Sequence, residues 1–284
     1  MTTRILYLAR YRIPHACVSL QFDHMLEGID RTVVSSPVPW NEIKNIFQGH
    51  GIDCSKFEYL PDNEIVDKYP EIDNWVFPDD YRGWWLRQQA LKLSVLDYLR
   101  HDVMLMHDPD TFMTEPYRCY DNGVLNYLIL PNTTHGSYNG VLESVLKIPR
   151  QSPHCFITEL VPCLKQDWIS LKDTLEQLHG QHFLDAIIDN VPGMPTVPPW
   201  GNGNLIKWFS EYEFISNWTL SQHSVNFTEQ RRFEYDSLDK IKNFNKQYNA
   251  MCDAIPDLSL SMQMDSGRVK DFEYYLSTIK ERVL

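Results

Sequence analysis

Short apolar runs alternate with helically spaced segments along the first part of the chain. Ile5-Leu6-Tyr7-Leu8-Ala9 has the length of a buried strand, and Arg31 to Ser35 is a second such run. Between them, Val18 to Glu27 carries helical spacing and stops at Gly28, and Trp40 to Phe47 predicts another helix, halted by Gly49 and Gly51. Strand, helix, strand, helix is the order of an α/β domain with a mostly parallel sheet.

Residues 53–83 interrupt this rhythm. Pro61, Pro70 and Pro78 stand there among closely spaced acidic residues, so the segment reads as a long acidic excursion with one short strand at Phe57 to Leu60. Helical spacing returns over residues 83–102. Leu86, Ala90 and Leu93 form its apolar stripe, and Gln88 and Lys92 stand one turn apart on a neighbouring face. Val103 to Met106 is then a continuous apolar run, and Pro109 ends it where a ladder would need another N–H.

Further on, Val124 to Leu130 predicts a strand and residues 132–137 a turn. Helices follow at Tyr138 to Leu146, at Trp168 to Leu178 before Gly180, and at His182 to Asn190. A Pro/Gly-rich stretch over 191–204 leads to Ser210, which has the chemistry of a helix N-cap. Beyond it, Phe233, Leu238, Ile241, Phe244 and Tyr248 form one helically spaced run. Val269, Phe272, Tyr275, Leu276 and Ile279 form another, with Pro256 between them. The expected organisation is an α/β domain over 1–228 and a helical C-terminal extension over 229–284 packed on it.

Composition narrows the class of partner. The chain has 284 residues, 43% hydrophobic and 13% aromatic, enough for one large core. With 26 basic against 38 acidic residues, the net charge of −12 argues against a broad phosphate-backbone footprint, so nucleic acid is excluded as a partner. Its six cysteines lack a C-x-x-C pair or zinc spacing, which fits reduced thiols in a cytoplasmic protein. Neither a secretory signal nor a membrane span is visible in the sequence.

The candidate chemistry gathers around D-V-M-L-M-H-D-P-D-T, residues 102–111. Asp108 and Asp110 are two apart, which in extended backbone points both carboxylates to one side. At the carboxyl edge of a sheet, where α/β proteins bind ligands, such a pair can hold a divalent cation through oxygen. A bare Asp-Pro-Asp turn is the simpler reading of the same residues. The first strand delivers Arg10, Tyr11 and Arg12 to its end, two guanidiniums suited to phosphate and a ring able to stack on a base. Gln88, Gln89 and Lys92 offer amides and an ammonium from the helix that precedes the acidic strand.

Three segments together carry a resemblance: W-W-x-x-Q-Q-x-x-K-L over 84–93, the strand ending in D-P-D-T-F, and S-E-Y-E over 210–213. In this order they resemble the GT-A glycosyltransferases, and more narrowly a small bacterial and phage group of such proteins, over roughly residues 80–220 and the opening strand. The resemblance implies a Rossmann-like α/β fold with a mostly parallel central sheet flanked by helices. It implies that Asp108 and Asp110 hold Mn²⁺ or Mg²⁺ against the diphosphate of a nucleotide sugar, with a UDP-sugar as the favoured donor. Gln88, Gln89 and Lys92 would line the donor pocket, and His223 would complete the metal site. Glu211, with Glu213 in reserve, would deprotonate a glycan or other hydroxyl acceptor if the reaction inverts.

Two rivals share some of these features. A haloacid-dehalogenase-like phosphohydrolase also ends a strand in D-x-D, but that motif opens its domain, whereas here a hundred residues come first. A non-catalytic nucleotide-sugar-binding protein would keep the pocket and lose the transfer.

Overall fold

The computed structural model describes residues 1–75, 81–113, 115–130, 136–195, 205–207, 209–235 and 259–264. Its strands are β1 (Thr2–Tyr7), β2 (Ile29–Ser36), β3 (Phe57–Pro61), β4 (Val103–His107), β5 (Thr111–Met113), β6 (Tyr120–Asp121), β7 (Val124–Ile129), β8 (Leu160–Leu164), β9 (Gly193–Pro195), β10 (Leu205–Lys207), β11 (Asn226–Tyr235) and β12 (Ser259–Met264). Its α-helices are α1 (Ile13–Ser19), α2 (Trp40–Gly49), α3 (Asp62–Lys68), α4 (Tyr81–Val95), α5 (Gly136–Val141), α6 (Lys165–His179), α7 (Phe183–Asn190) and α8 (Glu211–Gln222).

The main sheet runs β3-β2-β1-β4-β8, with every pair parallel except β4 with β8. Because side chains alternate along a strand, β1 supplies both faces of the core. Leu6 and Leu8 pack with Val34, Ala16 and Phe47 on the α1–α2 side. Ile5 and Tyr7 pack with Val33, Leu86, Leu91 and Trp168 on the other. The strand begins earlier than its apolar run because Arg4 is wholly buried. Its guanidinium pairs with Asp23 and donates to Thr32 Oγ1 at 2.8 Å, so a charge sits in a central strand with its bonds satisfied.

Helix boundaries move for local reasons. The helix expected at 18–27 starts at Ile13, passes into a 3-10 turn over Leu20–Met25, and meets β2 through Gly28 at φ +77°, a conformation open to glycine. The segment read as an acidic excursion sends several residues into the core. It forms β3, α3 and a 3-10 turn at Pro70–Trp75, with Ile72 and Trp75 fully buried, while its residues 76–80 lie outside the described residues. Its acidic side chains had masked the apolar positions between them.

The second sheet runs β5-β12-β11-β7-β6 and overturns part of the expected helical extension. Asn226–Glu229 of β11 pairs in parallel with β7, and Gln230–Tyr235 pairs in parallel with β12. Phe233 therefore lies in a strand, since pairing with neighbours outweighs a helical spacing to which it contributed one position. The boundary expected at 228/229 falls inside β11. The rest of the two helically spaced runs, 236–258 and 265–284, lies outside the described residues. Among the described residues, no helix is long and apolar enough to cross a membrane, and Cys17, Cys54, Cys119, Cys155 and Cys163 are free thiols.

Candidate active site

The carboxyl edge of the main sheet gathers the ends of β1, β2, β3 and β4. Leu6 is in register with His107, Tyr7 with Ser35, and Ser36 with Pro61. Asp108 follows β4 directly. Its N–H donates to the Glu159 carbonyl at 2.9 Å, and its own carbonyl accepts from the Thr111 N–H at 3.1 Å. Asp108-Pro109-Asp110-Thr111 is thus a β-turn between β4 and β5, not the extended backbone the two-residue spacing had suggested. The turn still brings both carboxylates to cations.

Asp108 is held by Lys92 of α4, whose Nζ donates to Asp108 Oδ1 at 2.5 Å, to Glu211 Oε1 at 2.8 Å and to the Tyr212 hydroxyl oxygen at 2.9 Å. An ammonium has three protons, and these partners take all of them. The Tyr212 hydroxyl in turn bonds Asp108. Lys92 is 3% exposed, whereas the Asp108 side chain keeps a fifth of its surface open. Burial alone would lower the Lys92 pKa, but Asp108 and Glu211 outweigh it and hold it above the ordinary lysine value. Burial raises Asp108 in the same way, and Lys92 and Arg12 reverse that, leaving its carboxyl below the usual range.

Asp110 is held from the other side. Arg12, in the 3-10 turn Arg10–Arg12 after β1, forms an ion pair with Asp110 Oδ2. Asp110 Oδ1 is buried and has no hydrogen-bond partner among the described residues. Burial and the neighbouring Asp108 push the Asp110 pKa up against the pull of Arg12.

Glu211 opens α8, capped by Ser210, whose Oγ accepts from the Glu213 N–H at 3.4 Å, as the N-cap chemistry had indicated. α8 is buried on every side from Glu211 to Thr219, so its first residue is delivered inward. Glu211 is 1% exposed, and burial followed by Asp108 raises its pKa despite Lys92. The Gln89 amide satisfies its neighbours with its nitrogen toward the Glu211 carboxylate and its oxygen accepting from Trp85 Nε1 at 3.1 Å.

The remaining sequence candidates separate from this cluster. Glu213 turns away and binds the 150–156 segment, accepting from the Phe156 N–H at 2.9 Å and pairing with Arg150 at 3.2 Å. Its role is to pin a loop, because successive helix positions point in different directions. His223 caps the far end of α8, twelve residues from Glu211, and pairs with Asp167 Oδ1 at 2.7 Å. A helix of that length spans about 18 Å, so the structure does not bring His223 to Asp108 and Asp110. Arg10 is exposed and pairs with Glu42 at 2.5 Å, leaving the inward position to Arg12. Gln88 is half-buried, and the Tyr11 and Trp84 side chains lie outside the described residues. Tyr212 was missed by sequence reasoning, although it stands inside the S-E-Y-E segment.

Among the described residues, no group of three or more His, Cys, Asp and Glu side chains forms a metal cage. Two carboxylates at one turn, one partly open and one with an unpartnered oxygen, fit instead a hard cation that takes most of its shell from phosphate and water. The charge balance agrees with this. Asp108, Asp110 and Glu211 face Lys92 and Arg12, three negative groups against two positive ones.

The fold is of the GT-A class of architecture. An active-site mutant of LgtC shares the fold, with a TM-score of 0.50 at 11% identity over 98% of this chain and 95% of that one. Mannosyl-3-phosphoglycerate synthase from Rubrobacter xylanophilus matches at a TM-score of 0.25 and 15% identity over 52% of this chain and 37% of that one, too little to carry an argument. No family model matches the sequence, and a search of curated proteins finds no match.

Proposed function

We propose that the chain is a cation-assisted glycosyltransferase that moves a sugar from a nucleotide-sugar donor to a hydroxyl acceptor. The observation that carries this reading is the turn Asp108–Thr111 at the carboxyl end of β4, where Asp108 meets Lys92 from α4, itself paired with Glu211 of α8, and Asp110 meets Arg12. In the reaction, the bond from the anomeric carbon to the β-phosphate oxygen breaks and a bond to the acceptor oxygen forms. The acceptor proton is released, and the nucleoside diphosphate leaves with the extra negative charge.

Asp108 and Asp110 would hold Mn²⁺ or Mg²⁺, which when bound offsets charge on the leaving diphosphate. Lys92 adds a fixed positive charge beside them. It stays protonated because Asp108 and Glu211 hold it so. Arg12 supplies a planar guanidinium suited to a phosphate at the same edge. Glu211 takes the role of anchoring Lys92 and not that of base. A base must reach the proton it removes, and this carboxylate is enclosed by Lys92 and Gln89. A UDP-sugar remains the favoured donor, with a glycan or another hydroxyl compound as acceptor.

Asp110→Asn keeps the size of the side chain and removes its charge. It should abolish cation-dependent turnover of a nucleotide-sugar panel while circular dichroism shows the fold intact. Wild-type turnover by the variant, or by the native chain in excess chelator, would remove the basis of the proposal.

A further inference from the structure

The two cations at the turn differ in how firmly they are held. Lys92 spends all three protons on Asp108, Glu211 and Tyr212, and it is enclosed between two helices. Arg12 stands on a single 3-10 turn whose Arg12 N–H is tied to the Ala9 carbonyl at 2.8 Å, so the backbone is fixed while the side chain, 18% exposed, reaches across to Asp110. Its ion pair covers Oδ2 of a carboxylate that is 3% exposed at the side chain and whose Oδ1 is left without a partner. A buried carboxylate oxygen lacking a donor marks a place where a further ligand is expected. A guanidinium is also a good bidentate ligand for phosphate oxygens.

We propose that Arg12 is an internal stand-in for the cation: in the donor-free chain its guanidinium occupies Asp110, and an arriving diphosphate draws it away. Cation and diphosphate therefore bind together, each weakly alone. Lys92 stays in place throughout, since leaving Asp108 would also strip charge partners from Glu211. This inference rests on the cation site proposed above and concerns how that site is kept closed to a metal until a donor is present.

The test reads Mn²⁺ binding directly, from the loss of the free-ion electron paramagnetic resonance signal, without any turnover. The native chain should bind Mn²⁺ at least tenfold more tightly with a nucleoside diphosphate than without. UDP, GDP and CDP are tried in turn, with their own Mn²⁺ binding subtracted. Arg12→Gln and Arg12→Met should bind Mn²⁺ alone about tenfold more tightly than the native chain and gain less from the nucleotide. Adding Asp110→Asn to either should erase the gain. If the Arg12 variants bind Mn²⁺ no more tightly while Asp110→Asn weakens it, the cation site stands and the stand-in role of Arg12 is wrong. If Asp110→Asn leaves Mn²⁺ binding unchanged, the cation site itself is wrong and this inference goes with it. Should both Arg12 variants fail to fold, absence of nucleotide coupling in the native chain alone overturns the proposal, and its presence supports it.

Discussion

On the β4 side of the sheet edge, Asp108, Asp110 and Glu211 face Lys92 and Arg12, whereas on the β1–β3 side Asp62 faces the hydroxyls of Tyr7 at 3.1 Å and Ser35 at 3.0 Å. Asp62, Asp110 and Glu211 are buried and Asp108 is a fifth open, and the three aspartates sit where strands of the main sheet end. Their charges are managed differently. Lys92 and Arg12 keep Asp108 ionised below the usual carboxyl range. Burial raises Asp62 to about 6, with the two hydroxyls and the more distant Arg87 only partly opposing it. Among the described residues no cation lies in ion-pair range of Asp62. Asp108, the acid that the cations hold down, keeps charge available for a ligand, while the hydroxyl-bonded Asp62 ties the ends of β1 and β2 to the start of α3. Burial of a carboxylate by itself is thus no sign of a binding site; the partners decide.

Removing the cation from the first group should have the largest effect. Lys92→Met leaves Asp108 and Glu211 facing each other in a closed space, and loss of one partner from a buried ionic cluster costs about 3–5 kcal/mol. Urea unfolding measures it, and a loss under about 1 kcal/mol would mean that the cluster is more open to water than the structure indicates. Next comes the pH dependence of Asp62. Its folded pKa, about 6, lies above the ordinary aspartate value of 3.8, so the native state holds the proton more tightly. The contribution to stability is therefore complete below the unfolded pKa and is lost as pH rises through about 6. The size is on the order of 2–3 kcal/mol. Melting temperatures of the native chain should fall, relative to Asp62→Asn, between the two values, and parallel curves would show that Asp62 does not titrate abnormally. The smallest effect belongs to Arg10→Ala. Its exposed pair with Glu42 should be worth less than about 0.5 kcal/mol, and donor turnover should not change. A large loss of turnover would return Arg10 to the donor site in place of Arg12.

Much of this could be read from sequence because it depends on local pattern. Val103–Met106 followed by Pro109 gave the end of β4, Ser210 gave the start of α8, and the Gln88–Lys92 spacing put both on α4. Partnerships across the fold could not be read in that way. Arg12 meets Asp110 across 98 positions, and Lys92 meets Glu211 across 119. Nothing in the spacing of Arg10 and Arg12 says which one turns inward. Glu211 and Glu213 look equivalent in S-E-Y-E, yet α8 aims one at Lys92 and the other at Arg150. The acids of 53–83 left the strand at Phe57 to Leu60 legible but concealed α3 and the 3-10 turn after it: their charge drew attention from Ile65, Tyr69, Ile72 and Trp75, which pack inward.

The pairing of β12 with β5 joins Ser261 to Met113 and Gln263 to Thr111, the residue that immediately follows Asp110. The posture of the acidic turn thus leans on a segment about 150 positions later in the chain. A protein trimmed at residue 228 would keep all five strands of its main sheet and much of its core, but the strand beyond Asp110 would lose its neighbour. Beside β7 only Asn226–Thr228 of β11 would remain, a shortened strand with its outer edge open, an invitation to edge-to-edge association between copies. Shortening the tail would damage alignment at the acidic turn and solubility well before it unravelled the body of the fold.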